Sequence, residues 1–100
     1  MIVHIVFWRL HEQANGRSKQ ENALEIRKRF EAMRPIMPGL LRLDFGIDFA
    51  GTEQSSDVAL YTEFESRAAL EAYQAHPAHK DIVAFIAGLR TERRVVDYEL

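Results

Sequence analysis

The chain has 100 residues, 47% apolar and 28% charged, with 13 Lys and Arg against 15 Asp and Glu and no cysteine. That length supports a single domain, residues 1–100, burying roughly 60–70% of its unfolded surface. A net charge of −2 without a sustained basic face excludes a nucleic-acid footprint, and the lack of thiols excludes disulfide scaffolds and thiolate metal sites. No apolar run nears the roughly 20 residues that span a bilayer. The amino terminus shows no basic n-region or cleavage site, so a soluble, cytoplasmic protein is expected.

Ile2 to Leu10 is β-branched and aromatic, with charge only at Arg9, and is predicted to be a strand. His11 to Arg17 is polar and contains the turn signal Asn15-Gly16. Ser18 opens a helix, because Ser18-Lys19-Gln20-Glu21 is a capping box. Ala23, Ile26, Phe30, Met33 and Met37 recur at spacings of three and four and form its apolar face. Pro35 disfavours helical geometry in the residue before it, so this helix ends near Arg34.

After the loop Met37-Pro38-Gly39, apolar side chains alternate strictly from Leu41: Leu41, Leu43, Phe45, Ile47 and Phe49 share one face of a second strand. Asp57 to Glu65 is a third strand, with Val58, Leu60, Thr62 and Phe64 on one side and Ala59 and Tyr61 on the other. Ser66 caps a short helix through Ala75 that buries Leu70 and Tyr73. Pro77 restarts a helix at its first position, and Gly88 stops it after Ala87. Arg94 to Leu100 completes the pattern as a fourth strand.

The order βαββαβ predicts a ferredoxin-like α+β fold, an antiparallel four-stranded sheet with helices on one face. The first strand carries Ile2, Val6, Trp8 and Leu10 on one side and Val3, Ile5 and Phe7 on the other. A strand facing water should be polar at every second residue. Both faces are therefore expected to be covered, the second by another copy of the chain in a homodimer. Terminal loops over the same face are the competing expectation.

Several segments also resemble a known family: the opening Met1-Ile2-Val3-His4-Ile5-Val6, the Met37-Pro38-Gly39-Leu40 turn, Phe64-Glu65-Ser66, Tyr73 through His79, and Val95-Val96-Asp97-Tyr98. Together they look like the stress-responsive A/B barrel (Dabb) family over essentially the whole chain. The resemblance implies a dimeric α+β barrel. Most members have no assigned reaction, and one plant branch contains polyketide cyclases, among them olivetolic acid cyclase, with a pocket between sheet and helices. By position, the catalytic tyrosine and histidine of that branch fall on Tyr73 and His79, and its first-strand histidine on His4. The first helix and the loop after the second strand show no particular similarity to the cyclases.

The residues support a candidate site independently of the resemblance. With His76 as N-cap and Pro77 as first helical residue, His79 stands at the third position of its helix, where the positive end of the helix dipole disfavours imidazolium. A neutral histidine accepts a proton from carbon beside a carbonyl, and Tyr73, one turn upstream, donates to the oxygen as enolate charge develops. His4 orients the substrate if its face of the strand points at the helices, with Val6 beside it in the pocket. A purely structural reading fits equally: His79 bonded back to the N-cap backbone, Tyr73 as a core aromatic, His4 bonded to backbone. His76 is expected to shape the helix entry and His11 to be a solvated strand end.

The expected function is binding of a small, largely apolar ligand in that pocket by a homodimer. Alternatives are a polyketide cyclase or lyase using His/Tyr acid–base chemistry, a cofactor-free monooxygenase, and a non-catalytic stress-response protein. No cofactor is called for. No metal is expected either, since His76 and His79 lack the carboxylate and third ligand of a zinc site. Neither nucleic acid nor membrane is an expected partner.

Overall fold

A computed structural model describes residues 1–100. Four strands form one antiparallel sheet in the order β4-β5-β1-β6, where β1 is Ile2–Leu10, β4 Leu40–Ile47, β5 Val58–Phe64 and β6 Arg90–Glu99. A separate hairpin of β2 (Gln13–Ala14) and β3 (Arg17–Ser18) leads into α1 (Lys19–Met33). Helices α2 (Arg67–Ala75) and α3 (Pro77–Ala87) lie between β5 and β6. This is the expected ferredoxin-like α+β plan. No helix is long and apolar enough to cross a membrane.

The sequence pattern accounts for most boundaries. Ser18 and Glu21 close the reciprocal capping box at the start of α1, and Ala23, Ile26, Phe30 and Met33 are buried along it. Ser66 accepts from the Ala69 N–H at the start of α2. Asn15 and Gly16 both have positive φ, 54° and 72°, as a two-residue type I′ hairpin turn demands. The polar segment read only as a turn therefore carries the short β2–β3 ladder. Pro35 ends α1 at Met33 and opens a 3₁₀ turn, Arg34–Ile36. Met37 is buried from outside the helix.

Two expectations about strands fail for local reasons. A register shift between Leu40 and Arg42 interrupts the β4–β5 ladder, so Leu40 packs against the core and Leu41 is exposed. The strict alternation from Leu41 onward thus begins inside a bulge, and Phe49 lies beyond the strand, fully exposed. The last strand starts at Arg90 rather than Arg94. Arg90 to Arg94 has no apolar alternation to reveal it, and only pairing with β1 makes it a strand.

The register fixes what faces the helices. Opposite His4 stand Thr62 of β5 and Asp97 of β6; opposite Val6, Leu60 and Val95; opposite Trp8, Val58 and Arg93. Phe30, Phe64, Tyr73 and Ile86 close the core between this face and the helices. The other face carries Val3, Ile5, Phe7 and Val96; Val3 is buried within the chain, whereas Phe7 and Val96 remain 38% and 46% exposed. Both faces of β1 are apolar, but one chain buries only one of them completely.

Gly39 holds the β4 entrance against α2. Its φ is +76°, and a Cβ there would stand 2.6 Å from the Ala69 Cβ. Only glycine meets both conditions without displacing the backbone.

Candidate functional site

His4 reaches the site because even-numbered residues of β1 face the helices. The ring is 3% exposed, and its Nδ1–H donates to the Asp97 carboxylate on β6. Its backbone carbonyl accepts from the Thr62 hydroxyl at 2.8 Å. This pairing leaves Nε2 as the free ring nitrogen. Asp97 is the residue that sequence reasoning missed: it stands 93 positions away, and only the β1–β6 register reveals it.

Tyr73 comes from α2 and is fully buried. Its ring lies 4.9 Å from Phe64, 6.2 Å from His4 and 4.2 Å from His79, centroid to centroid. The hydroxyl has no hydrogen-bond partner in the protein. Burial pushes its pKa well above the ordinary tyrosine value, against a smaller opposing pull from Arg93. Tyr73 therefore remains a protonated donor throughout the neutral range.

His76 and His79 divide their roles at the α2–α3 junction. His76 is the N-cap of α3, its Nδ1 accepting from the Ala78 N–H at 3.0 Å, and Pro77 follows at the first helical position. His79 does not close back onto that cap. Its Nδ1–H donates to the Gln74 carbonyl at 3.4 Å, which leaves Nε2 unprotonated in the neutral ring. Burial is the main influence lowering the His79 pKa, with His4, Arg93 and His76 adding like-charge repulsion and the Gln74 carbonyl opposing. Desolvation thus favours the neutral form of His79.

His4, Val6, Tyr73 and His79 line one cavity of about 230 Å³ between sheet and helices. Trp8, Phe30 and Leu60 supply apolar walls. Val83, Arg90 and Arg93, all exposed, lie where it opens between α3 and β6. Sequence patterning marked Trp8, Phe30 and Leu60 as core but carried no sign that they border a cavity. His11 is exposed on the loop after β1. No group of three or more His, Asp or Glu side chains is disposed to hold a metal ion.

The chemical capacity is general acid–base: an unprotonated imidazole nitrogen, a protonated phenol without a partner, and an imidazole oriented by a carboxylate. These share an apolar enclosure, where electrostatic interactions are stronger than in water.

The family model for the stress-responsive A/B barrel domain matches residues 2–100. The chain belongs to the Dabb family. No curated protein sequence matches it significantly. Among solved structures, this Dabb chain is similar to a dimeric ferredoxin-like protein of unknown function from Thermobifida fusca, with 23% identity, TM-score 0.86, and coverage of 99% of this chain and 90% of that one. A dimeric ferredoxin-like protein from Jannaschia sp. is 25% identical, with TM-score 0.77 and coverage of 99% and 98%. The hydroxynitrile lyase of Passiflora edulis is 18% identical, with TM-score 0.83 and coverage of 99% and 92%. At such identities, likeness to the Thermobifida and Passiflora structures speaks to the Dabb fold and not to a reaction.

Proposed function

We propose that this Dabb protein is a homodimeric α+β barrel that binds a small, largely apolar carbonyl compound in each subunit cavity and enolises it. One observation carries the reading: Tyr73, with its unpartnered hydroxyl, and His79, with its free Nε2, border the same cavity. A buried hydroxyl without a partner costs about 1–3 kcal/mol, and a substrate oxygen would relieve that cost. In the proposed step His79 Nε2 takes a proton from carbon α to the carbonyl. The C–H electron pair moves into the new C=C bond, and the carbonyl oxygen gains charge under the Tyr73 hydrogen bond. Tyr73 keeps its proton, and His4, aligned by Asp97, supports the far side of the substrate. The enolate carbon then bonds to a second carbonyl carbon, whose oxygen takes the proton back from His79, giving aldol-type cyclisation as in a polyketide cyclase. A lyase would instead have His79 take the hydroxyl proton of a carbonyl adduct as the carbonyl re-forms. The C–C electron pair leaves with the departing carbon, which then takes the proton from His79. The Passiflora neighbour's name makes that the second reading.

Dimerisation is part of the proposal. Phe7 and Val96 stand exposed on the open sheet face, the Thermobifida and Jannaschia neighbours are described as dimeric, and a twofold sheet-on-sheet contact would remove the patch from water.

The test is hydrogen–deuterium exchange at the α-carbon of a panel of β-polyketones, followed by NMR in D₂O. The protein should accelerate exchange for at least one member. His79→Gln should lower that rate about 10²–10⁴-fold and Tyr73→Phe about 10²-fold. Unaccelerated exchange across the panel, with the protein folded, defeats the enolisation reading.

A further inference from the structure

The eleven residues bordering the cavity include two arginines and two histidines but no Asp or Glu. Arg90 and Arg93 make no ion pair, although β6 carries three acids of its own. Each acid is engaged elsewhere: Glu92 with Arg9 and Arg94, Asp97 with His4, Glu99 with Arg67. The contrast with another surface depression is informative, because Arg27 and Arg34 there share their pocket with Glu31 and Asp44.

The backbone makes this pairing of arginines deliberate in a physical sense. Residues three apart on a regular strand point to opposite faces. Here the β1–β6 register shifts between Arg9 and Leu10: Arg9 opposes Glu92, Leu10 opposes Arg90, and Thr91 is left over. The extra residue turns Arg90 onto the face that Arg93 already occupies opposite Trp8. Without the bulge only one guanidinium would border the cavity. The charge of Arg93 also reaches inward, since it acts on both Tyr73 and His79.

We propose that the cavity selects a small apolar carboxylate, its anionic head held at the mouth by Arg93 and Arg90 and its apolar body against Trp8, Val6 and Leu60. The inference rests on the cavity being a ligand site and adds the charge class of the ligand. Guanidinium groups recognise a carboxylate through paired N–H donors, which a neutral carbonyl compound cannot match.

Trp8 is the only tryptophan in the chain and borders the cavity, so its fluorescence reports occupancy. The probes are three isosteric pairs: benzoate with benzamide, phenylacetate with phenylacetamide, and 4-phenylbutanoate with 4-phenylbutanamide. At least one acid should bind about tenfold more tightly than its amide at low salt, with the preference shrinking as salt rises. In the Arg90→Gln/Arg93→Gln double variant the acid and amide should bind equally, with amide affinity changed less than about twofold. Equal binding in the native protein, or a preference that survives the double variant or is indifferent to salt, overturns the charge selection and leaves the cavity reading standing. If no probe of any pair perturbs Trp8, both fall. Should the double variant fail to fold, the salt titration of the native protein decides alone.

Discussion

Replacing Tyr73 by phenylalanine should make the protein more stable while removing the group that the proposed chemistry needs. The native side chain is fully buried, and its hydroxyl meets no donor or acceptor of the protein. The ring contacts with Phe64 and His79 do not involve that oxygen and survive the change. A buried hydroxyl left unpaired costs about 1–3 kcal/mol, so deleting it should return about 1 kcal/mol, or about 4–8 °C in Tm for a domain of this size. Tyr73→Ala, which also empties the ring site, should instead lose about 3–5 kcal/mol. Urea unfolding followed by circular dichroism measures both, at one fixed protein concentration because a dimer's stability depends on it. A loss of 1 kcal/mol or more in Tyr73→Phe would refute the reasoning, since it would mean that the hydroxyl is bonded in the native protein. Opposite signs for stability and for α-proton exchange would mark a group retained for function at a cost to the fold.

Other perturbations test other parts of the structure. Burial lowers the His79 pKa below its ordinary value of 6.5, so the unfolded chain takes up this proton first as the pH falls. The associated stability is complete above about pH 6.5 and declines toward the lower folded-state value. The difference between native and His79→Gln unfolding curves should show that loss, and parallel curves from pH 8 to 5 would contradict it. Any exchange activity should likewise hold level above pH 6.5, fall in acid, and show no alkaline limb from Tyr73 below about pH 10. Phe7→Glu places a charge in the exposed apolar face and should weaken dimerisation more than about 30-fold; an unchanged mass by light scattering at micromolar concentration would dispose of that interface. Gly39→Ala must accommodate both a positive φ and a Cβ placed 2.6 Å from that of Ala69, so a loss of roughly 1–3 kcal/mol is expected in denaturant unfolding. A neutral result would show that the loop yields.

The readable parts of the chain are those in which local chemistry and burial agree. The Ser18–Glu21 box, the three-and-four spacing of Ala23 to Met33, the Pro77 restart and the alternating Val58 to Phe64 each mark an element that forms as marked. The misread parts are those governed by pairing. Leu40 and Leu41 exchange faces at a bulge, and Arg90 to Arg93 becomes strand through β1 although its side chains are polar. A register shift leaves no trace in composition, because the residue that is skipped need not be of any special type.

For the site, the sequence by itself determined that His4, Val6, Tyr73 and His79 fall on elements able to meet, because strand parity and helix capping are local properties. The meeting itself was decided by the tertiary structure. Asp97 orients His4 across 93 residues, burial lowers the pKa of His79, and a bulge brings Arg90 onto the face of Arg93. Each of these depends on which distant residues are neighbours. Desolvation and hydrogen bonding are properties of that neighbourhood, and it exists only once the sheet has paired.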